Sequence, residues 1–227
     1  MILSLTQTFT YDNLPDIIIL FLIARRKICE CSPLVVAKKT VMDGHKINSM
    51  DEIRLIKKKI CLLGSFAVGK TSLIERFVYS RFDEKYLTTI GVKISQKILP
   101  PFQSPGKGPF LQYNFLIWDI ASMEKFDSVV KNYYRGASGA LGVIDLTRPQ
   151  TISEMKIICN RFLSVNHQAQ LLIIGNKLDI FQGDDKMIDD LKKIASDFST
   201  EYLLTSAKTG ACVEEAFFEL AKKVGSQ

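Results

Sequence analysis

From Lys59 onward, short apolar runs alternate with stretches of helical apolar spacing, and this alternation sets most of what the chain can fold into. The runs are Ile60–Leu63, Phe115–Trp118, Ala140–Ile144 and Leu171–Ile174, with a shorter Tyr202–Leu204. Between them lie Ser72–Tyr79, Lys125–Tyr134, Ser153–Val165, Lys186–Phe198 and Val213–Val224. Continuous apolar strands need cover on both faces. The pattern therefore predicts an α/β fold, a mostly parallel sheet with helices on both sides. Val92–Ile98 and Leu111–Trp118 read as neighbouring strands of one antiparallel hairpin. Their connection, Leu99 to Phe110, carries Pro100, Pro101, Pro105, Gly106, Gly108 and Pro109. That composition specifies a loop and no further structure. In such sheets ligands bind at the carboxyl ends of the strands, so the residues standing there decide the function.

The first strand is followed by Gly64-Ser65-Phe66-Ala67-Val68-Gly69-Lys70-Thr71, a complete G-x-x-x-x-G-K-[ST] phosphate-binding loop. Successive backbone N–H groups must turn inward around a diphosphate, which calls for glycine-compatible dihedrals at the ends of the loop. Lys70 supplies a point charge to the β- and γ-phosphates, and the Thr71 hydroxyl is a Mg²⁺ ligand. The helix starting near Lys70, with Ser72 in its first turn, adds N–H groups and the positive end of its dipole. Taken alone, the loop suits an ATPase or a nucleotide kinase equally well.

Two further segments resolve that choice. Asn176-Lys177-Leu178-Asp179 follows the run Leu171–Ile174, and Ser206-Ala207-Lys208 follows Tyr202–Leu204. They resemble the guanine-recognition motifs N-K-x-D and S-A-K of Ras-superfamily GTPases. The chemistry agrees: guanine offers two adjacent N–H donors, and one carboxylate accepts both in a charge-assisted pair. Adenine offers no such pair, so Asp179 can discriminate. The resemblance assigns Asn176 to tying the loops together and approaching guanine N7. It assigns the Lys177 stem to one face of the base, and the Ala207 N–H to O6.

The resemblance covers roughly Lys58 to Val224 and implies a P-loop NTPase fold binding GTP or GDP with Mg²⁺. Tyr86-Leu87-Thr88-Thr89-Ile90-Gly91 is similar to switch I, with Thr89 expected at Mg²⁺ and the γ-phosphate. Phe82 stands where the family places an aromatic against the guanine. Trp118-Asp119-Ile120-Ala121 resembles the start of switch II, with Asp119 holding Mg²⁺ through water. Tyr133-Tyr134-Arg135-Gly136-Ala137 and Asp145-Leu146-Thr147 are Rab-like. Lys58–Thr71 and Tyr86–Lys93 look closest to Rab-like GTPases encoded in bacteria, where Phe in the phosphate loop also occurs. An effector or regulator engaging the switch regions is the implied protein partner.

The chain departs from the family at the step that would hydrolyse GTP. The family writes D-x-x-G-Q, whereas here the residues are Asp119-Ile120-Ala121-Ser122-Met123, followed by Glu124. Ser122 keeps an N–H for the γ-phosphate but adds a Cβ that restricts the hinge. Met123 has no amide with which to orient water. Phe66 brings bulk beside the γ-phosphate, where it would obstruct a partner's arginine finger. Phe82–Thr89 holds no Arg to replace one. The expectation is a slow GTPase with Lys70, Thr89, Ser122 and Met123 at the reacting end. The alternative is a GTP-bound interaction module that does not cycle. Glu124 is a candidate water-positioning group after a one-residue shift.

Residues 1–56 read as an N-terminal extension, accessory to a nucleotide-binding domain over residues 57–227. The apolar run Ile17–Ala24 is too short to span a bilayer, and Pro15 and Asp16 block its extension. Its positive charges, Arg25-Arg26-Lys27, follow the run, unlike a secretory signal. A short interfacial anchor, an element packed on the domain and a poorly ordered extension all remain open. No prenylation box or myristoylation glycine is expected to anchor the chain, so membrane contact would fall to this extension. The five Cys are spread out, which argues against a disulfide framework and for a reducing, cytoplasmic setting. Cys29 and Cys31 read as free thiols. Net charge is +6 with scattered Lys and Arg. Lys57-Lys58-Lys59 reads as a solvated edge, and nucleic-acid binding is not indicated.

Overall fold

The computed structural model describes residues 53–82, 91–103, 110–121 and 127–225. The expectations placed on Ile17–Ala24, Cys29 and Cys31 lie outside them. The described elements run β1 (Ile53–Leu63), α1 (Lys70–Tyr79), β2 (Val92–Ile98), β3 (Phe102–Gln103), β4 (Phe110–Ile120) and α2 (Asp127–Tyr134). They continue with β5 (Gly139–Asp145), α3 (Gln150–Leu163), β6 (Gln170–Asn176), a short 3₁₀ turn (Leu178–Ile180), α4 (Asp185–Asp197), β7 (Tyr202–Leu204) and α5 (Val213–Gly225).

The strands form one sheet in the order β2-β4-β1-β5-β6-β7, with β3 paired to β4 beside that path. β1, β4, β5, β6 and β7 pair in parallel, while β2 and β3 lie antiparallel to β4. This is the expected α/β architecture of a P-loop nucleotide-binding protein. The apolar character of β5, buried along its whole length, follows from its central place and its helical cover on both faces. On one face Phe77 of α1 stacks on Phe217 of α5, with ring centroids 3.8 Å apart. On the other, Met155, Cys159 and Phe162 of α3 are fully buried, and Tyr134 of α2 meets Phe162 edge-on at 5.3 Å.

Two local expectations need correction. β1 starts at Ile53, so Lys57-Lys58-Lys59 lies within a strand; Lys57 is exposed as expected, while Lys58 and Lys59 are half-buried. The Lys59 ammonium sits 3.7 Å from the Trp118 ring centroid and donates to the Arg135 carbonyl at 2.8 Å. Lys58 faces the other way, 5.8 Å from the Tyr113 ring. The aliphatic stems cover apolar surface while the charges find ring faces, so a lysine run can belong to a strand. The Pro/Gly connection is also not entirely loop. Phe102 and Gln103 pair with Leu111 and Phe110 because the Phe102 ring packs against Tyr113 at 5.1 Å.

Cys61 and Cys159 are free and buried, and burial pushes both thiols up to about 12. Among the described residues no helix is long and apolar enough to cross a membrane.

Candidate functional site

The carboxyl ends of β1, β4, β5 and β6 lie side by side. Leu62 is in register with Asp119, Leu63 with Gly142, and Asp145 with Asn176. The loop leaving β1 turns sharply at both glycines. Gly64 has φ +146°, and a Cβ there would lie 2.5 Å from the Val143 carbonyl oxygen. Gly69 has φ +99°, and its Cβ would lie 2.3 Å from Asn176 Nδ2. Neither position accepts a side chain. Ala67 also takes a left-handed φ of 61°. Val68 is buried under the loop, while Phe66 is 54% exposed. Helix α1 begins at Lys70, and no side chain caps its first turn, so the N–H groups of Thr71 and Ser72 stand at an anion-binding helix end.

The Lys70 ammonium curls back over the loop and donates to the Gly64 carbonyl at 2.7 Å and the Ser65 carbonyl at 2.9 Å. Burial, with the Arg148 charge acting in the same sense, pushes its pKa down to about 8 against the opposing pull of Asp119. Thr71 Oγ1 donates to Asp119 Oδ2 at 2.5 Å, and Asp119 is buried at the end of β4. A hydroxyl and a carboxylate are thus fixed together at the phosphate end of α1. No cluster of three or more His, Cys, Asp or Glu side chains suited to a metal occurs among the described residues. A Mg²⁺ ion here would therefore draw its remaining oxygens from phosphates and water.

Tyr86 and Thr89 lie outside the described residues, as do Ser122, Met123 and Glu124. Their flanks are placed. Glu75 of α1 receives Arg81 at 2.7 Å and Lys93 at 2.6 Å, one on each side of residues 83–90. The Ala121 N–H donates to the Gly91 carbonyl at 2.9 Å, joining the edges of the two switch-like segments. Phe82 is half-buried and packs against the hydrophobic core.

The base-side loops are bound to the phosphate loop through one side chain. Asn176 Nδ2 donates to the Val68 carbonyl at 2.9 Å. Its Oδ1 accepts the Ala207 N–H and the Thr205 hydroxyl, each at 3.2 Å. Asp179 is exposed in the 3₁₀ turn, where its Oδ1 accepts from the Ser206 hydroxyl at 2.6 Å. Ser206 in turn accepts the Thr209 N–H at 3.1 Å, and Lys208 is exposed beside them. Lys177 takes a left-handed φ of 68° and reaches Asp145 Oδ2 at 2.7 Å.

Three residues to which the sequence motifs assigned no role in the site complete the arrangement. Arg76 of α1 donates through Nε to the Ala207 carbonyl at 2.9 Å and through Nη2 to the Lys208 carbonyl, clamping the Ser206–Lys208 turn. Asp145 ends β5 fully buried. Its carboxyl is held below the usual range: burial works to raise it, and hydrogen bonds from Lys177, Thr147 and Arg148 together outweigh burial. Arg148 reaches from Asp145 to the phosphate loop. An acid closing an apolar strand at its carboxyl end was a sequence signal for Asp145. Arg76 and Arg148 carried none, since their partners are remote in the chain.

The residues present fit a guanine nucleotide with Mg²⁺. A glycine cradle rejects any Cβ, a buried ammonium lies over the loop, a hydroxyl pairs with a carboxylate, and an exposed carboxylate stands next to the Ala207 turn. The sequence pattern of the Ras family matches residues 59–226. Ras-related protein Rab-8B of Homo sapiens is 35% identical over 167 residues, covering 73% of this chain and 77% of the relative. Ras-related protein Rab-22A of Mus musculus is 32% identical over 169 residues, with 74% and 84% covered. Ras-related protein SEC4 of Saccharomyces cerevisiae is 35% identical over 172 residues, with 73% and 74% covered.

Proposed function

The chain belongs to the Ras family, and on that premise we propose that it is a Rab-like switch that hydrolyses GTP slowly. As a member it is a small GTPase that binds GTP or GDP with Mg²⁺ and acts through effector and regulator proteins. The observation that carries the reading is the Asn176 side chain, which joins the phosphate loop at Val68 to the base loop at Ala207.

Gly64, Ser65, Phe66, Ala67, Val68, Gly69, Lys70, Thr71 and Ser72 enclose the phosphates in this proposal. Asn176, Lys177, Asp179, Ser206, Ala207 and Lys208 hold the guanine, with Tyr86 and Phe82 at its margins. Thr71, Thr89 and Asp119 hold the metal. Bound Mg²⁺ neutralises charge on the phosphate oxygens. Lys70 supports the charge that develops between the phosphates, while Ser122 and Met123 leave the attacking water without the usual orienting amide. Slow turnover follows from that loss. The half-buried packing of Phe82 against the core favours a supporting role over a stacking one.

The non-cycling alternative is favoured by the same two residues and by exposed Phe66 at the mouth of the phosphate loop. Single-turnover hydrolysis separates the two: measurable phosphate release supports the slow switch, and nucleotide that stays GTP indefinitely supports the module. The likeness to Rab-like GTPases encoded in bacteria rests on the look of Lys58–Thr71 and Tyr86–Lys93, Phe66 included. The relatives named above are animal and yeast proteins and do not support it. A cytoplasmic setting, with the N-terminal extension as the route to any membrane, completes the proposal.

A further inference from the structure

Arg148 follows β5 and links the phosphate loop to the base loop by a second route, separate from Asn176. Its Nε donates to Asp145 Oδ2 at 2.8 Å, and its Nη2 donates to the Phe66 carbonyl at 2.7 Å. The same Asp145 oxygen takes the Lys177 ammonium at 2.7 Å. Thr147 occupies the other oxygen through its N–H at 3.0 Å and its hydroxyl at 2.7 Å. One buried carboxylate therefore carries a cation from the base loop and a cation that reaches the phosphate loop. Arg148 also stands near enough to Lys70 for its charge to bear on that ammonium.

The contact with Phe66 has a geometric consequence. All peptide bonds described are trans, and in a trans peptide the carbonyl and the following N–H point in opposite directions. Turning the Phe66 carbonyl toward Arg148 turns the Ala67 N–H away from it. Ala67 sits at φ 61°, a conformation that costs a residue with a Cβ and persists only where neighbours hold it. A guanidinium suits the task, because its planar fork serves a carboxylate and a carbonyl at once. A lysine carries its donors on a single nitrogen and lacks that planar fork.

We propose that Arg148 is a positioning residue that fixes the Phe66–Ala67 peptide so that the Ala67 N–H faces the nucleotide's phosphates beyond the first. It holds that peptide in register with Lys177 through their shared anchor, Asp145. The proposal rests on the reading of Gly64–Thr71 as the phosphate loop.

The test compares full-length unmodified protein with R148A, R148K and D145N. Affinities for GDP and GMP are measured by competition against a fluorescent GDP, and circular dichroism checks the fold. R148A is expected to weaken GDP about tenfold, equivalent to ~1.4 kcal/mol, and to leave GMP unchanged, since GMP has only the first phosphate. R148K should be as weak as R148A, because it keeps the charge and loses the two-point hold. D145N, which releases both cations, should weaken GDP and GMP together. Equal weakening of GDP and GMP in R148A would overturn the proposal, as would full rescue by R148K or unaltered GDP affinity. If R148A does not fold, the GDP-against-GMP split in R148K decides. Failure of the unmodified protein to bind GDP would instead remove the nucleotide reading beneath it.

Discussion

Thr71 and Asp119, one at the start of α1 and one at the end of β4, are joined by a hydrogen bond of 2.5 Å in which the hydroxyl donates to the carboxylate. A hydroxyl that donates its proton keeps lone pairs to offer a cation, so the bond prepares both groups for Mg²⁺. Chelation with EDTA should therefore speed release of bound GDP markedly, and T71A should abolish most of the difference. Stopped-flow release of a fluorescent GDP checks this. An off-rate indifferent to Mg²⁺ in the unmodified protein would contradict the metal assignment.

Asp179 accepts the Ser206 hydroxyl at 2.6 Å and is exposed, so it is oriented before any base arrives. GTP and GDP should bind far more tightly than ATP. Asp179→Asn should erase much of that difference, since a bidentate pair contributes about 1–3 kcal/mol of discrimination. Calorimetry with all three nucleotides checks it, and equal binding of ATP and GTP would refute the base assignment.

Those two motifs were legible because the chemistry is local. Gly64, Gly69, Asn176 and Asp179 occupy fixed places relative to apolar runs, and the sheet brings the runs together in only one way. The ends of elements were less legible. Lys58 and Lys59 read as solvent-facing because Tyr113 and Trp118, whose rings take them, lie on another strand. Phe102 and Gln103 extend the hairpin through a ring contact with Tyr113 that no local composition reveals. Arg76 and Arg148 were invisible for the same reason: each binds carbonyls of remote segments, and a backbone carbonyl has no sequence signature.

Lys70 gives a pH dependence. Its folded pKa of about 8 lies below its ordinary value of 10.5, so between these values the nucleotide-free fold binds fewer protons than the unfolded chain. Stability of the free protein on this account rises as pH climbs through that window and lacks the contribution below it. Phosphates favour the charged ammonium, so GDP binding above pH 8 should take up a proton. GDP affinity should stay flat below about pH 8 and fall above it, approaching about tenfold per pH unit. Calorimetry at pH 9 in two buffers of different ionisation enthalpy checks the proton count, and Lys70→Met should remove it.

The most direct test is single-turnover GTP hydrolysis by the unmodified chain beside the Ser122→Gly, Met123→Gln double variant. Intrinsic hydrolysis in Ras, with its orienting glutamine, runs at around 10⁻⁴ s⁻¹. Losing that group should cost a further one to two decades, on the order of 1.4–2.8 kcal/mol. Met123→Gln alone should recover little while Ser122 still restricts the hinge, and the double variant should exceed the sum of the singles. A rate near 10⁻² s⁻¹ in the unmodified chain, the level of G-protein α subunits with an internal arginine, would contradict the slow-switch account and point to Glu124 as the group that positions water.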